Sequence, residues 1–86
     1  MFIGEKLISN NTWKPLIEVN TGDEFYIQNT SNYRLRYCVS ENAPVENVQG
    51  NILESLQQLI FKKVDGNLYI KKINGDAFVA IEKVEG

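Results

Sequence analysis

Two dipeptides near the C-terminus, Asp65-Gly66 and Asn74-Gly75, constrain this chain most. Each is a pair that readily takes the two positive-φ positions of a type I′ turn, and each lies between runs in which apolar and polar residues alternate. A two-residue loop at Asn74-Gly75 sets Ile73 against Asp76. Counting outward puts Ile70 opposite Val79 and Leu68 opposite Ile81 on one face, with Tyr69 opposite Ala80 and Lys71 opposite Phe78 on the other. The same reading at Asp65-Gly66 sets Val64 against Asn67, Phe61 opposite Ile70 and Lys63 opposite Leu68. The expectation is a C-terminal three-strand meander over residues 58–84, with Leu59, Phe61, Leu68, Ile70, Val79 and Ile81 facing inward.

Earlier segments read as further strands. FIGEKLI, residues 2–8, is a first strand interrupted at Gly4, which marks a bulge or a close backbone approach. Lys14-Pro15 marks an edge, or the strand begins only at LIEV, residues 16–19. EFYIQN (24–29) and YRLRYCVS (33–40) form a pair whose register favours a three-residue loop, Thr30 to Asn32. That loop sets Ile27 opposite Leu35 and Phe25 opposite Tyr37, where a two-residue loop would oppose apolar residues to Arg34 and Arg36. Residues 41–50 are loop-like, and Ile52 to Ile60 reads either as a helical turn or two or as an extended passage from one sheet to another. The whole is a single β domain, residues 1–86: all-β, a small antiparallel β-sandwich or flattened barrel of about seven strands.

The residues that are missing bear on chemistry. The sequence has no histidine and one cysteine, Cys38, so Ser-His-Asp and Cys-His arrangements, structural zinc sets and an intrachain disulfide cannot be assembled within one chain. Its carboxylates are scattered, and it lacks a glycine-rich phosphate loop. It reads as a non-enzyme without cofactor or metal, and Cys38 as a half-buried small side chain. Net charge is −2, from nine basic and eleven acidic residues, which supplies no field for nucleic acid or an anionic membrane. No apolar run reaches membrane-spanning length, and MFIGEKLISN has no basic region ahead of a long apolar stretch. A protein not secreted by the ordinary route is expected, or one carried out of a cell inside an assembled particle.

What remains is contact. A domain this small buries only ~60 to 65% of its unfolded surface, and oligomerisation is one remedy. The outer face of the meander, Ile60, Lys62, Tyr69, Lys71, Phe78 and Ala80, is more apolar than a solvated sheet and is the first candidate interface with a neighbouring subunit. Trp13 is a second anchor, or a rim residue capping the core, and Arg34 and Arg36 are a solvated face or reach a partner. Tyr69, Phe78, Lys62 and Lys71 on one face would also suit a stacking platform for single-stranded nucleic acid, a reading that the net charge opposes.

The succession TWKPLIEVNTGDEFYIQNT, with Trp13, Gly22, Asp23, Gln28, Asn29 and Thr30, then Pro44, then LYIK (Leu68 to Lys71) and Gly75 to Ile81, resembles small β-sandwich proteins of tailed bacteriophage particles. NILESLQQ departs from the glycine-turn pattern expected there. The resemblance implies a virion structural protein, a capsid decoration, head-fibre or tail-associated module, located in the virion after assembly in the host cytoplasm. It implies a homo-oligomer in contact with other virion proteins. The alternative is a host-surface or glycan-binding module of a phage appendage, with Trp13, Tyr26 and Tyr33 stacking on sugars.

Overall fold

The computed structural model describes residues 1–63 and 66–84. Among these residues eight strands, β1 (Phe2–Ile8), β2 (Lys14–Pro15), β3 (Glu24–Asn29), β4 (Leu35–Ser40), β5 (Asn51–Leu53), β6 (Gln58–Lys62), β7 (Asn67–Lys72) and β8 (Ala77–Lys83), build two four-stranded antiparallel sheets. The first sheet has the order β1-β8-β3-β6 and the second β2-β7-β4-β5. The fold is therefore the small all-β sandwich that the alternation implies. Its shortest dimension is 16 Å, as suits two layers stacked ~10 Å apart.

Strand alternation builds the core. Phe25 and Ile27 of β3, Phe61 of β6, and Val79 and Ile81 of β8 point inward from the first sheet, meeting Leu35, Leu53, Leu68 and Ile70 from the second. Ile8, Leu16, Val19 and Ala77 complete the cluster. The stretch LIEV is not a strand, because Leu16 and Val19 are both buried and three residues apart. Alternation would send one of them to water, whereas a 3₁₀ turn over Ile17–Val19 puts both on one side. Gly4 does sit at a register shift between β1 and β8.

The pairing within the C-terminal third differs from the meander. β6, β7 and β8 belong alternately to the first, second and first sheets, so Ile70 lies beside Lys14 and Tyr37, and Val79 beside Lys6 and Asn29. The reason is geometric. In a sandwich both sheets turn inward to one core, so alternation dictates which side chains are buried without dictating which strand lies alongside. Among the described strands only β4 and β5 are sequence neighbours within one sheet. Neither Asn74 nor Gly75 has a positive φ, so there is no type I′ turn. The 73–76 segment spans two sheets instead, and a Cβ at Gly75 would come within 2.9 Å of the half-exposed Tyr33 ring, which would have to swing aside. The Asp65-Gly66 turn, with Val64 opposite Asn67, includes residues outside those described.

The β3 to β4 connection is also a crossover, not a hairpin: Ile27 sits between Leu59 and Ile81, and Leu35 between Leu53 and Lys72. The side chain that organises it is Asn29, fully buried at the end of β3. Its Nδ2 donates to the carbonyls of Tyr33 (2.6 Å) and Leu53 (3.2 Å), and its Oδ1 accepts from the Ser31 backbone N–H (3.0 Å) and hydroxyl (2.7 Å). One amide thus ties together the corner and the end of β5.

Of the two readings for Ile52 to Ile60, the extended crossing holds, from β5 in the second sheet to β6 in the first. Its turn places Leu56 at φ 65°, with its N–H on the Asn29 carbonyl (2.7 Å). A β-carbon in this left-handed region costs about 1–2 kcal/mol, partly offset by the extra freedom glycine gives the unfolded chain. Leu56→Gly, at an exposed site, is expected to raise stability by about 0.5–1 kcal/mol, measured by urea titration.

Lys6 of β1 donates to Glu18 of the 3₁₀ turn at 3.0 Å. Partial burial pushes the Glu18 carboxyl up, but the Lys6 hydrogen bond, a backbone hydrogen bond and the Lys6 charge together outweigh it, and the group titrates below its ordinary value. A carboxyl depressed in the folded state stabilises above its unfolded pKa, and this contribution is lost as pH falls through the folded value. Lys6→Met should therefore lower stability slightly at neutral pH and converge on the parent in acid, the difference staying small because the pair is partly solvated.

Candidate functional site

The two sheets have outer faces of different character. Across the second sheet, Arg36 registers with Lys71 and Ile52, and Cys38 with Tyr69, which registers with Pro15. This face is largely roofed by the 41–50 loop of the same chain. Lys71 Nζ donates to the Glu46 carbonyl (3.3 Å) and stands 4.4 Å from the centre of the Trp13 ring, while Arg36 donates to the Gln49 carbonyl (3.1 Å). Gly50 closes the loop at φ 67°, where a Cβ would lie 2.6 Å from the Tyr37 carbonyl oxygen and 2.8 Å from the Trp13 ring. Only glycine meets both demands. Trp13 and Tyr69 are consequently buried, and Cys38 is half-buried.

The outer face of the first sheet carries no such roof among the described residues. Three rows cross it in register: Phe2, Glu82, Tyr26 and Ile60; then Glu5, Ala80, Gln28 and Gln58; then Leu7 and Phe78. Phe2 is 61% exposed, Ile60 57%, Leu7 46% and Phe78 44%. Between the first two rows lies a shallow depression of about 50 Å³, lined by Phe2, Tyr26, Gln28, Gln58, Ala80 and Glu82. At the far end Lys62 pairs with Glu24 at 3.1 Å.

The candidate interface residues therefore divide. Ile60, Lys62, Phe78 and Ala80 share the exposed face of the first sheet, whereas Tyr69 and Lys71 lie on the second, beneath or against the 41–50 loop with Trp13 and Arg36. Arg34 is at the other end of β4, exposed and paired with Glu54 at 3.0 Å. The supposed single face of six residues is thus two faces, because β7 and β8 are not neighbours. The same split divides the Tyr69, Phe78, Lys62 and Lys71 stacking platform. Trp13, Tyr26 and Tyr33 do not form one sugar-stacking site either: Trp13 is under the loop, Tyr26 on the first sheet, and Tyr33 against Gly75.

Phe2, Leu7 and Glu82 escaped the sequence reading. Glu82 follows directly from the alternation that buries Val79 and Ile81. Phe2 and Leu7 share a face only because the register shift at Gly4 changes the parity of β1, and no residue pattern announces where a bulge takes effect. The chain has no significant match among family models, curated proteins or solved structures.

Proposed function

We propose that this protein is a non-enzymatic contact module that works through the outer face of the first sheet. The observation that carries this is the exposure of Phe2, Leu7, Ile60 and Phe78 together on one sheet face, in a chain whose other outer face is largely roofed by its own loop. Large apolar side chains exposed on one sheet face, with polar ones interleaved, are the ordinary make-up of a protein contact. The sequence resemblance to small phage β-sandwich proteins supplies the setting: a virion structural module, of capsid-decoration, head-fibre or tail-associated kind, assembling with copies of itself and with other virion proteins. The separation of Trp13, Tyr26 and Tyr33 supports assembly over the glycan-binding alternative.

Immunogold electron microscopy of purified tailed phage particles, taken from the lysate in which the chain is made, tests the setting. Gold at a fixed position on the particles is expected. Label found only in the particle-free fraction would overturn the virion assignment.

A further inference from the structure

The charges on the exposed face identify what occupies it. Glu82 stands in register between Phe2 on β1 and Tyr26 on β3, so a carboxylate is flanked by two aromatic side chains on neighbouring strands ~5 Å away. The carboxylates of Glu82 and of Glu5, in the next row, have no hydrogen bond or ion pair among the described residues. A two-fold contact of this face with itself would bring such carboxylates toward their own copies, and like charges facing each other across an interface are costly. The arrangement suits a cation, which would pair with Glu82 and lie against the rings of Phe2 and Tyr26.

The chain itself holds one such cation. Eight of its nine lysines and arginines donate to a carboxylate or a backbone carbonyl. The ninth, Lys14, is exposed and has no partner among the described residues. It belongs to β2, the edge of the opposite sheet, and next to it are the exposed Pro15 and an Ile17 that is 71% exposed. A free lysine beside apolar residues is thus presented at the edge of the second sheet, and a free carboxylate between aromatic residues on the outer face of the first.

We infer that two copies of this chain join head to tail, the Lys14 edge of one seated on the Phe2, Glu82 and Tyr26 row of the next. The inference rests on the contact-face reading and names the occupant of that face. Because donor and acceptor surfaces differ, each copy keeps one of each free, and the contact propagates into a ring or an open filament.

Sedimentation velocity over a concentration series, at low and high salt, tests this with the full chain, Lys14→Glu, Glu82→Lys and the double reversal. Both sites are exposed, and circular dichroism verifies that each variant is folded. The parent should self-associate and weaken with salt, each single reversal should weaken association at least ~10-fold, and the double reversal should recover most of it. A parent that associates equally well with either single reversal, or singles that weaken it without recovery in the double, overturns the head-to-tail contact and leaves the contact face standing. A parent that is monomeric throughout overturns the contact and self-assembly together, leaving the face to a different protein.

Discussion

Ile70→Ala should lower the free energy of unfolding by about 2–5 kcal/mol, a large share of what a domain of this size possesses. Ile70 is 2% exposed in β7, an interior strand of the second sheet, in register with Lys14 on one side and Tyr37 on the other. Its side chain joins the cluster that also contains Ile27 and Ile81 from the opposing sheet, so truncation opens a void between the layers. A chain with few other buried side chains cannot collapse around it cheaply. Urea titration should show a lower midpoint with an unchanged slope. A loss under about 0.5 kcal/mol would place Ile70 at the surface and contradict the sandwich.

The second large effect belongs to a polar side chain. Asn29→Ala should cost about 2–4 kcal/mol, because it removes a fully buried amide and leaves the Leu53 carbonyl and the Ser31 N–H without that partner and the Tyr33 carbonyl with only its bond from the Ser31 hydroxyl. Asn29→Asp separates hydrogen bonding from volume. Its carboxylate could still accept from Ser31 but would confront two carbonyl oxygens where the amide donated, so the folded state should hold the proton more tightly than the unfolded one. Stability of that variant should then fall as pH rises through the unfolded pKa of roughly 4 and recover in acid. Equal stability of Asn29→Asp and the parent at neutral pH would mean that the Nδ2 bonds contribute little.

These two positions also mark how far the residues alone could lead. Burial of Ile70, Leu68, Val79 and Ile81 follows from alternation, and so does the shared outward orientation of Ile60, Lys62, Phe78 and Ala80. Strand partnership does not follow, since a strand that crosses to the facing sheet keeps its inward residues inward. Asn74-Gly75 therefore suggested a hairpin where the chain instead spans two layers. The covering of Trp13, Tyr69, Arg36 and Lys71 was equally hidden, because it depends on where an irregular ten-residue loop lies. Nothing in the composition of 41–50 fixes that path except Gly50, whose need for open space appears only once Trp13 and Tyr37 are in place.

The claim that the first sheet's outer face is an assembly surface is tested most directly by the solution mass of the parent beside that of an Ile60→Ser, Phe78→Ser double variant. Both side chains are about half exposed on strands whose inner residues are untouched, so the variant should unfold at nearly the parent's urea midpoint. Removing two apolar anchors from one contact should shift the mass toward monomer at concentrations where the parent is oligomeric. A folded double variant that keeps the parent's oligomeric mass, or a parent already monomeric at millimolar concentration, would contradict it.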